Sequence, residues 1–188
     1  MPFLLIKNLP RYDCLLDAAK QFPDLDPSAC EVFLHLMQAG DAAFRVVDSH
    51  LAEHNISQGR FMVLMQLLNK GRNCARSQTP AELADLSHVS RATMTGLIDT
   101  LERDGLVKRE PDLTDRRMMA VTLTEKGRLL LQEILPPHFR EMAWLMSPFS
   151  ESERRTFVTL LSKVMKRAAE RSVAPSSPSS ASPASASI

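Results

Sequence analysis

The sequence lacks the features that would place a protein in a membrane or in an oxidising compartment. Its apolar runs never reach the length of a membrane-spanning helix, because Lys, Arg, Asp or Glu interrupts each of them. The opening segment, Met1 to Ile6, is too short for a signal peptide and has no basic leader. Cysteine is scarce: Cys14, Cys30 and Cys74 are odd in number and widely spaced, which is typical of the reducing cytoplasm. We therefore expect a cytoplasmic protein without a membrane partner.

An excess of positive charge is also missing. The chain has 23 Lys and Arg residues against 22 Asp and Glu residues, a net charge of +1 across 188 residues. Domains that bind nucleic acid are usually strongly basic, so the overall charge does not favour that function. A nucleic-acid-binding function would therefore depend on the positions of individual arginines in the fold. The hydrophobic content of 44% is, in contrast, ample for a folded core.

What the sequence does contain is a pair of helices with clear boundaries. Thr79 predicts the N-cap of the first helix, with Pro80 at the first helical position and Glu82 completing a capping box. Ser90 predicts the N-cap of the second helix, and Gly105 predicts the left-handed residue that ends it. Apolar residues recur along the second helix at helical spacing, at Met94, Leu97, Ile98 and Leu101. This arrangement is typical of a helix-turn-helix.

Two short strands are predicted directly after the helix pair, at residues 106–109 and 119–123. The charged turn at residues 112–117 joins them. A helix pair followed by two strands and an arginine-tipped loop predicts an α+β, mostly α-helical fold, a winged helix-turn-helix. Such a module places its second helix in the major groove of DNA, while arginines of the wing reach phosphate or the minor groove.

Long amphipathic helices are predicted on both sides of this module. The predicted organisation is N-terminal dimerisation helices at residues 1–56, a winged helix-turn-helix DNA-binding domain at 57–127, C-terminal dimerisation helices at 128–172 and a disordered tail at 173–188. Pro136 and Pro137 predict a bend or break in the helix that follows the wing. The apolar faces at the two ends exceed what a small core can cover, which favours a homodimer. The alternative is that they pack on each other within one chain.

Short sequence runs in the winged helix resemble those of the MarR family, the multiple-antibiotic-resistance regulators. The runs are Thr79-Pro-Ala-Glu-Leu-Ala, Ser90-Arg-Ala-Thr-Met-Thr, Leu101-Glu-Arg-Asp-Gly-Leu-Val-Lys-Arg, and Asp115-Arg-Arg leading into Val121-Thr-Leu-Thr-Glu-Lys-Gly. With the flanking helices, the resemblance extends from about Asp26 to Arg171. It implies a two-fold dimer that represses transcription from near-palindromic operator DNA. Leu123-Thr-Glu-Lys-Gly with Leu135-Pro-Pro is similar to the branch that represses multidrug-efflux operons.

The placement of individual residues predicts a DNA-binding surface on the second helix and the wing. Arg91 can pair with guanine, and Thr93 and Thr95 can bond to base edges or touch a thymine methyl group. Arg116 and Arg117 stand at the wing tip, where a groove would pass. The predicted DNA contacts are Thr79, Ser90, Arg91, Thr93, Thr95, Arg116 and Arg117.

The family pattern adds detail to this surface. Asp115 and Arg117 match its Asp-x-Arg motif, which implies that Arg117 enters the minor groove and that Asp115 maintains the shape of the loop. Family members often have an arginine where this chain has Gly96, so one expected contact is missing. Asp99 and Arg103, four residues apart on the exposed side of the helix, are predicted to form an ion pair.

A small effector is also implied by the resemblance. In the family, aromatic or phenolic anions bind between the dimerisation helices and the winged helix. Polar and adaptable side chains that are candidates for such a pocket are His35, Arg45, His54, Arg60, Met62 and Met65. No cofactor or metal is expected.

Three alternatives remain open at this stage. A redox-sensing regulator would act through Cys30, near a helix N-terminus that favours the thiolate, or through Cys14. A zinc-dependent hydrolase would use His50, Glu53 and His54, which form an H-x-x-E-H string. A winged helix that binds only other proteins is the third alternative, and the wing arginines argue against it.

Overall fold

The computed structural model describes residues 8–73, 78–112 and 117–173. Its elements over these ranges are α1 (Tyr12–Gln21), α2 (Pro27–Glu53), α3 (Gln58–Asn73), α4 (Pro80–Ser87), α5 (Arg91–Arg103), β1 (Val107–Pro111), β2 (Met119–Leu123), α6 (Glu125–Leu145) and α7 (Glu151–Val173). The mostly helical α+β fold predicted from the sequence is confirmed. Over the same ranges, no helix has both the length and the apolar character needed to cross a membrane.

The N-terminal ends of the helices follow from local hydrogen bonds. The carboxylate of Asp26 accepts from the amides of Ser28 at 3.0 Å and Ala29 at 3.1 Å, and Pro27 occupies the first position of α2. These amides would otherwise be unpaired at the helix start. At the other end of α2, Asn55 adopts the left-handed conformation with φ of 54° and turns the chain into α3.

The winged helix is assembled from α3 to β2, with α4 and α3 both packed on α5. Strands β1 and β2 pair antiparallel, with Val107 opposite Leu123 and Pro111 opposite Met119. The first strand begins one residue later than predicted, because the amide of Leu106 bonds to the carbonyl of Leu101 at the end of α5. A further segment joins the sheet: the amide of Val121 donates to the carbonyl of Gln78 at 2.8 Å.

The core lies under α5 and the sheet and extends to the ends of α2 and α6. Its fully buried members include Leu51, Leu64, Leu83, Met94, Ile98, Leu101, Leu131 and Ile134. Gly127 allows α6 to approach the sheet closely, because a Cβ at this position would lie 2.2 Å from the carbonyl oxygen of Leu106. The glycine at the end of the predicted Leu123–Gly127 motif therefore has a packing role.

Helix α6 is continuous through Pro136 and Pro137, so the predicted break is wrong. Each proline lacks an amide donor, and two bonds of the helix are lost there. The flanking residues Ile134 and His138 are buried against the core and hold the helix on both sides of the prolines.

The chain divides into two compact units, the first ending at Ala143 and the second beginning at Trp144. In the second unit, Ser150 and Glu153 form a capping box: the amide of Ser150 donates to Glu153 at 2.7 Å, and the amide of Glu153 donates to Ser150 at 3.4 Å. Helix α7 continues to Val173. The rest of the tail predicted to be disordered lies outside the described residues.

Candidate nucleic-acid interface

Helix α5 has one buried face and one polar exposed face. Met94, Ile98 and Leu101 are each 0% exposed and anchor the helix on the core. The opposite face presents Arg91, Thr93, Thr95 and Gly96 to solvent. Within the described residues, the guanidinium of Arg91 has no hydrogen-bond or ion-pair partner. The predicted contact residues of this helix are therefore brought together on a single accessible surface.

The N-terminus of α5 is arranged to receive an anion. Oγ of Ser90 accepts from the amide of Thr93 at 3.1 Å, and the two side-chain hydroxyls lie 2.8 Å apart. The helix dipole and the adjacent Arg91 both favour negative charge at this end. Ser90 and Thr93 are exposed, so their hydroxyls can also bond to a phosphate or base.

Thr79 does not belong to this surface. Its side chain accepts from the amide of Glu82 at 3.2 Å, and its own amide donates to Glu82 at 3.0 Å. The capping box predicted from the sequence is thus confirmed, but Thr79 is only 6% exposed. The DNA contact predicted for Thr79 does not fit this burial, and we remove it from the set.

The wing presents Arg117 on an exposed turn. The two ends of the wing loop are joined by a hydrogen bond of 2.8 Å from the amide of Asp112 to the carbonyl of Met118. Asp112 is 9% exposed. Sequence reasoning missed this bond, because it joins two backbone groups and so gives no residue-specific signal. The predicted roles of Asp115 and Arg116 fall outside the described residues.

Arg109 of β1 ties the sheet to α5. Its guanidinium bonds to both Asp99 and Glu102, and its amide donates to Glu102 at 3.1 Å. The ion pair predicted between Asp99 and Arg103 is therefore wrong. Arg103 instead lies 4.0 Å from Asp104. Arg109 pairs with Asp99 in place of Arg103. Its side chain is about three-quarters buried and contacts Asp99 and Glu102 together.

The C-terminal end of α5 is held by two further cations. Arg60 of α3 forms an ion pair with the carboxylate of Asp104, and Lys126 of α6 donates to the carbonyl of Asp104 at 2.8 Å. The side chain of Arg60 is only 17% exposed. Asp104 thus links the end of α5 to α3 and α6.

A cavity of about 400 Å³ adjoins this linkage. It brings together two of the predicted effector-binding residues, His54 and Arg60. Met62 lines a different cavity, between α3 and α4. The others lie in neither cavity: Nδ1 of His35 is 2.8 Å from the carbonyl of Glu31, Arg45 pairs with Asp41, and Met65 packs against the core. The six candidates are therefore not brought together in either of these two cavities of the described residues.

The H-x-x-E-H string does not form a zinc site. His50 is 8% exposed, and its Nε2 lies 3.4 Å from the carbonyl of Ile134. His54 instead faces Glu133, with 3.4 Å between Nδ1 and Oε1. No group of three His, Cys, Asp or Glu side chains in the part of the chain that the structure describes is arranged to hold a metal ion.

The thiols of Cys14 and Cys30 are both free, the first exposed on α1 and the second half-buried on the first turn of α2. Cys74 lies outside the described residues. The position of Cys30 agrees with the helix start predicted for it.

Comparisons with known proteins agree with this geometry. The sequence profile of the MarR family matches residues 56–119. The HTH-type transcriptional repressor YetL of Bacillus subtilis is 33% identical over 162 residues, which cover 86% of this chain and 95% of YetL. The HTH-type transcriptional regulator PecS of Dickeya dadantii is 28% identical over 162 residues, covering 84% and 96% of the two chains.

A solved structure gives the same result in three dimensions. A cysteine-to-serine mutant of MarR from E. coli, complexed with operator DNA, matches with a TM-score of 0.63 and 25% identity over 75% of this chain and 98% of that one. The hydrolase alternative is therefore wrong. The chain belongs to the MarR family and is a DNA-binding transcriptional regulator, not an enzyme.

Proposed function

We propose that this protein is a cytoplasmic repressor that binds a near-palindromic operator as a homodimer and is released by a small aromatic or phenolic ligand. The observation that supports it most directly is the exposed surface of α5, where Arg91, Thr93 and Thr95 stand beside a helix N-terminus. We infer that α5 enters the major groove and that Arg117 of the wing reaches the adjacent minor groove.

The homodimer is supported by apolar side chains that the single chain leaves exposed. On α7, Phe157 is 38% exposed, Leu160 52% and Val164 46%, while Val32 and Phe33 of α2 are 65% and 59% exposed. Apolar surface of this extent is typical of an interface. A dimer also fits the net charge of +1, because two modules on one operator double the number of phosphate contacts.

The effector proposal rests on the cavity beside Asp104. Its wall combines the cations Arg60 and Lys126 with apolar side chains, among them Ile56, Leu106 and Leu129. The two carboxylates of the wall, Asp104 and Glu133, face Arg60 and His54 respectively. An aromatic ring with a carboxylate or phenolate matches this mixture. A bound anion would compete with Asp104 for Arg60 and Lys126. Because Asp104 caps α5, the ligand would favour a different position of the recognition helix and so shift the equilibrium away from DNA.

The operator can be obtained by selecting random DNA duplexes on the purified protein, and affinity is then measured by fluorescence anisotropy. Arg91→Ala and Arg117→Ala are each expected to weaken operator binding by about 1–3 kcal/mol with unchanged folding. Arg128→Ala, an exposed arginine of α6, is the matched control. Affinity should fall steeply with salt. Recovery of no preferred duplex, or unchanged affinity in both variants, would contradict the proposal.

A second titration distinguishes the ligand from the thiol alternative. Salicylate is expected to release the operator under reducing conditions with chelator present. The variant with Cys14→Ser, Cys30→Ser and Cys74→Ser should respond as the wild type does. Release of the wild type by peroxide alone, absent in the triple variant, would instead establish the redox regulator.

A further inference from the structure

A second cavity lies within the winged helix itself, between α3, the end of α4 and the start of α5. Its volume is about 330 Å³, near the lower limit of small-molecule pockets, roughly 300–1,000 Å³. Apolar side chains form most of its wall: Met62, Val63, Leu86, Val89, Met94 and Leu97. None of the described residues that line it is charged. An ionised ligand would therefore lose its hydration here without gaining a counter-charge.

The entrance of this cavity is unusually apolar for a protein surface. Met62 is 47% exposed, Leu86 57% and Val89 37%. Large apolar side chains that cluster around an opening are typical of sites that bind a ligand or partner. Methionine suits such a site because its flexible thioether adapts to the shape of a ligand. Met94 is fully buried behind them, so a ring would reach the inner face of α5 by displacing the flexible side chain of Met62.

One polar atom in the wall lacks a partner. The amide nitrogen Nε2 of Gln66 donates to Oγ of Ser87 at 2.9 Å. The amide oxygen Oε1 of Gln66 is buried and accepts no hydrogen bond from the described residues. A buried acceptor without a donor costs free energy, and native proteins leave few of them. A donor on a ligand would remove this cost once the side chain of Gln66 turns its oxygen toward the cavity.

We propose that this cavity binds an uncharged aromatic molecule with a hydroxyl group, which donates its hydrogen bond to Oε1 of Gln66. The ring would lie against Met62, Met94 and Leu97. The site shares no lining residue with the proposed effector cavity. The ligand proposed here is uncharged, whereas the proposed effector is an anion. Because Ser87 ends α4 and Met94 belongs to α5, the ligand would contact both helices of the helix-turn-helix.

The test uses three compounds of similar shape, titrated calorimetrically into the full chain without DNA. 1-Naphthol is expected to bind. 1-Methoxynaphthalene, which lacks the donor, is expected to bind about tenfold more weakly, the upper end for one neutral hydrogen bond. Gln66→Met keeps the length of the side chain but removes the acceptor, so naphthol and its ether should bind alike. Ser87→Ala removes only the partner of Nε2 and should retain the preference for naphthol.

Methionine methyl resonances locate the ligand independently of these variants. Naphthol should shift the signals of Met62 and Met94 and leave that of Met37 on α2 unchanged. 1-Naphthoate should shift neither Met62 nor Met94. Equal binding of naphthol and its ether, persistence of the preference in Gln66→Met, or naphthoate shifts at Met62 and Met94 would each overturn the proposal. Since no DNA is present, these outcomes are independent of operator binding and release by salicylate.

Discussion

The amide of Arg109 donates to Oε1 of Glu102 at 3.1 Å, and the guanidinium of the same residue bonds to Oε2. One residue of β1 thereby holds one residue of α5 through both its backbone and its side chain. Asp99, the larger influence, and Glu102 raise the pKa of Arg109, so the guanidinium stays charged. This contact joins the wing to α5, and we expect it to help maintain their relative orientation.

Replacing Arg109 by Met should lower operator affinity, because the wing loses the contact that joins it to Asp99 and Glu102 of α5. We expect a several-fold weaker operator complex and a decrease of about 1 kcal/mol in the free energy of unfolding, since the pair is partly exposed to solvent. Anisotropy and urea denaturation measure the two effects. Arg103→Met, on a side chain 76% exposed, should change neither, and an Arg109→Met variant with full affinity would contradict this role.

Two glycine-to-alanine substitutions should have opposite effects on stability. At Gly96, in the middle of α5, an added Cβ meets no atom within 4 Å. Gly96→Ala should therefore stabilise the fold by about 0.5–1 kcal/mol through reduced freedom of the unfolded chain. At Gly127 the added Cβ would lie 2.2 Å from the carbonyl of Leu106, and the cost should be roughly 1–3 kcal/mol or more. Urea midpoints that move in the same direction would refute this account.

Leu160→Asp tests the proposed homodimer. The side chain is 52% exposed on α7, so the monomer should fold normally. In a dimer the carboxylate would be buried without a partner, which costs several kcal/mol. We expect sedimentation to show a monomer that no longer binds the operator, whereas Ser162→Asp on the same helix tests whether added charge alone has this effect. A wild-type monomer with tight operator binding would exclude the dimer.

Acid should destabilise the fold through His138. Burial, followed by the nearby His50, lowers the pKa of His138 below its ordinary value of 6.5. The unfolded chain therefore takes up this proton first as the pH falls. The contribution to stability is complete above the ordinary pKa of the unfolded chain, and it is lost progressively as the pH drops below that value toward the depressed pKa of the folded chain.

Urea denaturation at about pH 8 and about pH 5.5, on either side of histidine titration, measures this effect. His138→Phe should show a smaller decrease in stability at the lower pH, because its ring keeps the contact with Phe61, 5.0 Å away between centroids, and takes up no proton. His35→Gln replaces an exposed histidine and should behave as the wild type does. An identical decrease in the His138 variant would exclude this residue as the cause.

The sequence was sufficient to predict features that depend on near neighbours. The predicted caps at Thr79 and Ser90 each join groups three residues apart, so the local pattern alone specifies them. The buried stripe of α5 followed from helical periodicity in the same way. Contacts between distant residues could not be predicted like this. Asp99 pairs with Arg109 and not with Arg103, because the fold places β1 next to α5.

The same distinction between near neighbours and distant residues applies to the candidate site. Exposure of Arg91, Thr93 and Thr95 followed from the opposite face being apolar. Burial of Thr79 did not, because it depends on the sheet segment at Gln78 that pairs with β2. The effector residues were chosen by side-chain type, which does not determine location. Only His54 and Arg60 share a cavity, since both lie where α2 turns into α3.

The carboxylate of Asp104 pairs with Arg60, one of the two cations that the proposed anionic effector would contact, and the backbone carbonyl of Asp104 accepts from the other, Lys126. In the proposed release mechanism this carboxylate competes with the ligand for Arg60, and the ligand concentration that releases the operator would depend partly on the strength of the pairing between Asp104 and Arg60. Sensitivity to the ligand would therefore change through Asp104 alone, with the two cations and the apolar wall of the cavity unchanged. A substitution that weakens the pairing between residue 104 and Arg60 would lower the ligand concentration needed for release. A further carboxylate beside Arg60 would raise that concentration.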